Sequence, residues 1–535
     1  MNLDKVRQLA SASEECVDFW NRAIKWVIDP TAYESRSGPT AMKTARFSIK
    51  DVDKMLEVGK IKIIAEHEIR AWVRAFPVPE PAKMRRRPIF APDLNDWCGK
   101  DTLQCLRMPA KAEIRQQCLD GTKAYLFDFA SYYDQFRMRG AIPKYFGMRA
   151  KDGRFFCLQN LAMGQRQAVE AAQATTWRLL DFPMGVNVRV ATCIDNVRFV
   201  GPAEETEAAV RTFLARCKAV GATLNELDLR SFDPTKDDVE IFASSASVFL
   251  GEDYDYVVKS VRCAAKTVEK TGASWKRRSS WSAKNFAAHF GLLFFASNVL
   301  GVKLAKYFEA LRYFRTFSKA ITLGETTWSG RAPPLSDAAW KELGRWTDEV
   351  LANTARILTP LREAQEPDYV LITDASAKMW GALSVSVETG HVLEYSGKWP
   401  DHLLEQMKSS VAAEPEGIWL AMCRFFSPNS GARVLILTDH SPAVWPAEKG
   451  YAKGFFANRL YRRLETTFPM CQISFLHIKG ENNPTDGISR GLALSADDRE
   501  KAVGLARSAE DREVLRCSTI SPSCTPHNKR PDFMR

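Results

Sequence analysis

The chain has 535 residues, 45% of them hydrophobic and 26% charged, an ordinary globular composition with room for roughly three or four domains. Its formal charge of +11 points to an anionic partner, most simply nucleic acid. The twelve cysteines hold no CxxC pair and no zinc-spaced Cys/His cluster, which excludes a metal-ribbon module and fits reduced thiols in an intracellular compartment.

The start, "MNLDKVRQLASASEE", has no apolar signal core. Residues 1–80 read as a helical extension, with "EECVDFWNRAIKWVI" and "AEHEIRAWVRAF" as its clearest helix-like stretches. Proline density in "PVPEPAKMRRRPIFAPDLND" (77–96) breaks any helix and brackets an arginine triplet. "GTKAYLFDFASYYDQF" (121–136) is an apolar strand ending in Asp128, with Tyr133 five residues on; Asp134 is a second, weaker candidate acid. "FFCLQNLAMGQRQAVEAAQ" (155–173) places Gly164 and Gln165 before a helix.

"ATCIDNVRFVG" (191–201) joins two β-branched and aromatic runs through Asp195-Asn196, expected at the turn of a tight hairpin. On its own this is an ordinary turn; the rest of the chain decides whether the tip presents a carboxylate to a metal ion. "FLARCKAVGATLNE" (213–226) is a helix that ends at Gly221, and "SVFLGEDYDY" (247–256) contains a turn. Trp275, Lys276, Arg277 and Arg278, in "SWKRRSSWSAK", combine cations with indoles, a pairing suited to a phosphate backbone or to a solvated basic turn. Helical text follows to about 365; its most apolar run, "FGLLFFASNVLGV" (290–302), is too short and interrupted to span a bilayer.

A second strand-rich block begins with "YVLITDAS", a strand ending at Asp374, and a hairpin returning through Glu388-Thr389-Gly390. "SSVAAEPEGIWLAMCRFF" is helical after its start, and Pro415 in the first turn places Glu414 at the helix start. "RVLILTDHSPAV" is a buried strand ending in Asp439, and "QISFLHIKGENNPTDGISR" is a strand, a loop and a short helix carrying Asp486. One Asp after a strand is ordinarily a helix cap. Four acids in the order Asp-Glu-Asp-Asp suit a different task, because phosphodiester hydrolysis uses two divalent ions ~3.5–4 Å apart and hard Mg²⁺ takes carboxylate oxygens.

"LITDAS", "EPEGIWLAM", "LTDHSPAV" and "NPTDGISR" resemble the ribonuclease H domain of retroelement polyproteins over about residues 366–491. The resemblance implies Asp374, Glu414, Asp439 and Asp486 as metal ligands, with Glu416 the alternative to Glu414. It also marks a departure: the short loop "KGENNPT" lacks the His that cellular members carry, and His477 in the preceding strand is read as structural.

The first block resembles the fingers and palm of a reverse transcriptase over about residues 81–261. The order is strand–Asp128–aromatic, Gly164 helix, carboxylate hairpin, Gly221 helix end and a "FLG" primer-grip-like turn. By that resemblance Asp128 and Asp195 hold two ions, and Asn196 stands where the family has a second Asp. Cys193 replaces its usual aromatic. The resemblance further implies that Tyr133 would lie under the incoming sugar and exclude a 2′-OH, that Arg86 would neutralise the triphosphate with Lys83, Arg85 and Arg87 as alternatives, and that Gly164 with Gln165 would let backbone approach template or nucleotide.

The implied fold is multidomain, α+β and α/β: palm and fingers of a right hand, a helical thumb and connection at 262–365, a ribonuclease H-like mixed sheet with helices, and a flexible tail at 492–535. "YLFDFASYYDQF" and "CIDNVRF" most resemble tyrosine-recombinase retroelements of the DIRS/VIPER type. The implied activity is RNA-directed DNA synthesis with cleavage of the RNA in the hybrid, using two Mg²⁺ (or Mn²⁺) per active site. The implied partners are an RNA template, a DNA primer, their hybrid and deoxynucleoside triphosphates, with no membrane and a cytoplasmic or nuclear setting. Two rivals are a nuclease whose polymerase half only grips the hybrid, and a non-enzymatic scaffold.

Overall fold

The computed structural model describes residues 1–508 except 39, 81–83, 100–101, 105, 107, 333, 361–365 and 445–450, and does not describe the Arg85 side chain. The chain forms two compact units, Met1–Ala264 with Ala355–Leu361, and Ala265–Thr354 with Arg362–Arg535. Both mix helices with sheets, an α+β architecture. No helix among the described residues is long and apolar enough to cross a membrane.

In the first unit, β1 (Ile61–Ile63) heads a three-stranded sheet, and β2 (Val73–Glu80) pairs with β3 (Arg85–Pro92) as a two-stranded ribbon. β4 (Ala124–Asp128) lies in another sheet, while β5 (Gly147–Arg149) and β6 (Phe155–Leu158) complete the sheet of β1. β7 (Arg189–Cys193), β8 (Asn196–Val200) and β9 (Ala243–Ser244) build the sheet of β4 in the order β7-β8-β4-β9. Phe127 and Phe199 from β4 and β8 meet Phe213 of the helix Ala203–Val220, with ring centroids 5.7 and 5.5 Å away. This aromatic core fixes the sheet under that helix and holds the strand ends in place. Residues 246–263 and 356–357 form the last sheet of the unit, β10 (Ala246–Phe249), β11 (Glu252–Asp255), β12 (Ser260–Cys263) and β13 (Arg356–Ile357). Leu250 and Gly251, with φ of 50° and 82°, make the tight β10–β11 turn of the "FLG" stretch.

The second unit has a helical part before residue 354 and a five-stranded sheet after it. The sheet strands are β14 (Tyr369–Ala375), β15 (Met379–Ser386), β16 (Val392–Lys398), β17 (Arg433–Thr438) and β18 (Gln472–His477), ordered β16-β15-β14-β17-β18. β14–β15 and β15–β16 are antiparallel, and β14–β17 and β17–β18 parallel. Alternation along β14 decides which side each residue serves. Leu371 packs into one core with Ile418 and Met422 of the helix Ser410–Phe425, while Val370 and Ile372 pack into another with Leu505 and Ala506 of the helix Ala496–Arg507. With both faces covered, β14 and β17 end side by side, where their acids sit.

Several expectations are corrected. Residues 65–76 are a 3₁₀ turn followed by β2, because Val73 and Ala75 face inward with Arg74 outward, a period-two pattern completed by pairing with β3. The first 80 residues are therefore not purely helical. The helix carrying Glu414 begins at Ser410, and Pro415 lies inside it. The N–H that proline lacks would serve the carbonyl of Val411, an exposed residue. Residues 496–507 of the expected loose tail are a helix docked on the sheet, and 509–535 lie outside the described residues.

Candidate metal centres

In the second unit, Asp374 stands near the end of β14, Asp439 immediately after the parallel β17, and Glu414 on the helix packed across them. One ligand oxygen from each lies within 4.8 Å of the others. Glu414 is 6% exposed; its Oε1 accepts from the Ala375 N–H at 3.3 Å, while its buried Oε2 has no hydrogen-bond partner among the described residues. A buried carboxylate oxygen left without a donor is costly unless a cation is its partner.

The electrostatics agree. Burial pushes the Glu414 carboxyl up to about 9, with Asp374 and Asp439 adding like charge. Burial also raises Asp374 and Asp439, each pushed further by a neighbouring carboxylate. Oxygen donors of this charge and spacing fit a hard divalent ion, whose charge would reverse those shifts. The donor set therefore fits Mg²⁺ or Mn²⁺.

Asp486, at the start of the helix Asp486–Ser489, is outside that close group. Its Oδ1 accepts from Arg490 at 2.7 Å, yet its charge still raises Asp374 and Asp439. Convergence is thus tight for three of the four expected acids. Glu416 turns elsewhere, taking both carboxylate oxygens to Arg463 at 2.8 Å. A ring nitrogen of His477 lies 3.0 Å from the Asp439 carbonyl oxygen, a structural contact at the base of the site. Ser489 was not singled out in the sequence: its hydroxyl donates to Asp374 Oδ2 and lies 2.9 Å from the Asp486 carbonyl. A serine three residues after an acid carries no signal of its own.

In the first unit, β4 and β8 place Asp128 directly opposite Asn196, and the Phe129 N–H donates to the Asp195 carbonyl at 2.9 Å. Asp128 and Asp195 are thereby brought to neighbouring strand ends. The turn is one residue earlier than expected: Cys193 pairs with Asn196, so Ile194 and Asp195 form the tip. Ile194 carries the positive φ, 59°, which is rare for a β-branched residue. Buried Gln173 accepts from its N–H at 2.7 Å, and Thr176 donates to its carbonyl at 2.6 Å. The helix Ala168–Leu180 thus holds a strained tip in place. Asn196 Nδ2 donates to Asp195 Oδ1 at 2.9 Å. Tyr133 is half-buried, its hydroxyl pushed up to about 12 by burial and then by the Asp195 charge. Asp134 instead pairs with Lys60 at 2.5 Å.

The remaining expected contacts divide. Arg86 and Arg87 lie on β3, paired with Asp51 at 2.9 Å and Glu80 at 2.6 Å; Lys83 and the Arg85 side chain lie outside what is described. Gly164 has φ of 118°, and a Cβ there would collide with the Phe90 carbonyl oxygen, so its close approach is to β3. Gln165 is 2% exposed and donates to the Tyr33 hydroxyl at 3.0 Å, which turns its side chain into the core rather than toward a ligand. The Trp275 indole is packed against His289 and Trp340, with centroids at 5.6 and 5.4 Å, so it is no open stacking platform. Lys276, Arg277 and Arg278 remain exposed, with the Arg278 guanidinium 4.8 Å over the Trp275 ring.

No family model matches the chain, and no curated protein matches its sequence. Among solved structures it is similar to a foamy viral protease-reverse transcriptase in complex with double-stranded DNA, at 12% identity and a TM-score of 0.46, covering 88% of this chain and 81% of that one. A second such complex gives 12% identity and a TM-score of 0.45 over 90% and 98% of the two chains. One with an RNA/DNA hybrid gives 12% and 0.43 over 88% and 62%. Likenesses this distant assign no activity, and the functional reading rests on the residues themselves.

Proposed function

We propose that the chain is an RNA-directed DNA polymerase joined to a ribonuclease H, of a retroelement of the DIRS/VIPER type, working with two Mg²⁺ or Mn²⁺ ions at each site. The observation that carries this reading is the group Asp374, Glu414 and Asp439, within 4.8 Å and with a partnerless buried oxygen on Glu414. Divalent ions, when bound, activate the attacking oxygen and stabilise the leaving one. The residues supply the rest. Asp374, Glu414 and Asp439 hold the ions once deprotonated, Ser489 fixes the orientation of Asp374, and Asp486 adds negative charge at the rim.

At the other site Asp128 and Asp195 would hold ions against the primer 3′-OH and the triphosphate, with Tyr133 beside them as the sugar discriminator. Arg86 reaches a triphosphate by leaving Asp51, an inexpensive exchange because that pair is at the surface. The exposed Lys276, Arg277 and Arg278 supply non-specific phosphate contacts to the hybrid or to the RNA template and DNA primer.

A second reading keeps the nuclease alone. It is favoured by the Asn196 amide bonded to Asp195 Oδ1, where the family would place a second charge. Incubating the protein with a labelled RNA/DNA hybrid and with a primed template separates the two readings: extension that Asp195→Ala removes supports the first. Extension that appears only in Asn196→Asp supports the second.

A further inference from the structure

We propose that Asn225 is the positioning residue for Asp128, locking that carboxylate into the orientation in which it can hold a divalent cation; this rests on the polymerase reading of the first unit. Three bonds join residues 225 and 226 to Asp128. Asn225 Nδ2 donates to Asp128 Oδ2 at 2.8 Å, the Asn225 N–H donates to the Asp128 carbonyl at 2.9 Å, and the Asp128 N–H donates to Glu226 Oε2 at 3.1 Å.

The loop itself is held without the Asn225 side chain. Gly221, at φ 67°, ends the helix Ala203–Val220 and turns the chain. Leu224 then bridges Phe129, the Ala130 N–H donates to the Thr223 carbonyl at 3.0 Å, and Gln135 bonds both the N–H and the carbonyl of Thr223. Residues 221–226 therefore run along the end of β4 on the side opposite β8, anchored by main chain and by Gln135. Asn225 is exposed, so its amide fills no core space. Asparagine at such a turn usually bonds nearby backbone; here the amide reaches across 97 positions to a carboxylate oxygen.

Chemistry gives that bond a purpose. A donor on one oxygen fixes the plane of the carboxylate and favours its charged form. The need is greater here because Asn196, paired with Asp128 at the start of β8, brings no charge, leaving Asp128 and Asp195 as the acids at this end of the strand pair. The Asn225 bond holds one of those two charges ready on the flank that the hairpin does not cover.

The test uses the full chain with Asp374→Asn and Asp439→Asn introduced, so that cation binding reports on the first unit, and Mn²⁺ alone as the probe. Binding lost on adding Asp128→Asn defines the site. Asn225→Ala is expected to weaken that Mn²⁺ site about tenfold or more and to raise the metal concentration for half-maximal primer extension by a similar factor. The melting temperature and the KM for the template should stay unchanged. Equal Mn²⁺ affinity with and without the Asn225 amide overturns the proposal, as does the absence of any Asp128-dependent site. Mn²⁺ binding that responds to Asn225 in a protein that never extends a primer keeps the positioning role and removes the polymerase reading.

Discussion

Ser489 donates its hydroxyl to Oδ2 of Asp374, tying the helix after the "KGENNPT" loop to the end of β14. Groups that orient metal-holding carboxylates ordinarily contribute 10–100-fold to activity or affinity. Ser489→Ala is therefore expected to lower hybrid cleavage about tenfold while leaving the fold intact, read as the cleavage rate at saturating Mg²⁺ beside a melting curve.

The buried acids predict how pH acts on stability. Glu414 is raised from the ordinary 4.5 to about 9, so between those values the folded state binds more protons than the unfolded state. Stability must then fall as pH rises through that window. Asp374 and Asp439, also raised, act in the same direction. Without divalent cations, the melting temperature of the second unit should decline from about pH 5 to 9. Mg²⁺ should flatten the decline by favouring the charged forms, as should Glu414→Gln.

Arg490 holds Asp486 by an ion pair at 2.7 Å, and its charge offsets a small part of the upward shift that burial imposes on the Asp374 carboxyl. Arg490→Ala removes a positive charge from the rim and frees a carboxylate. The Mg²⁺ concentration giving half-maximal cleavage should drop about two- to fivefold, the scale of an exposed pair.

Gln173 is fully buried and bonds both the Ile194 N–H at 2.7 Å and Thr192 Oγ1 at 2.8 Å. Gln173→Ala removes one of the two side chains that brace the strained hairpin tip, leaving Thr176 on the Ile194 carbonyl, at about 1–3 kcal/mol of stability. Primer extension should fall at least tenfold, since the tip carries Asp195, whereas hybrid cleavage in the other unit should hold its wild-type rate.

What was legible in the sequence follows from range. Strand-end acids such as Asp128, Asp374 and Asp439 announce themselves because an apolar run stops at them, and the two faces of β14 are written in its alternation. The ribbon β2–β3 was missed because its partner is needed to choose strand over helix for "AWVRAF". Gln165 and Trp275 carry the right side chains for nucleic acid, but Tyr33, His289 and Trp340, each distant in sequence, claim them for packing. The hairpin turn shifted by one residue because Gln173 and Thr176 stabilise Ile194 at a backbone angle that its own side chain disfavours. Ser489 and Asn225 act through single hydrogen bonds that no spacing encodes.

The proposed function requires that Asp374, Glu414 and Asp439 in the second unit, and Asp128 and Asp195 in the first, each hold divalent cations for chemistry on nucleic acid. The direct test is a single labelled RNA/DNA hybrid with a recessed primer end, incubated with Mg²⁺ and deoxynucleoside triphosphates. Wild type, Asp374→Asn and Asp195→Ala are compared. Wild type is expected both to cleave and to extend, Asp374→Asn to extend without cleaving, and Asp195→Ala to cleave without extending. Folded wild-type protein that does neither, or variants that keep both activities, would contradict the proposed function.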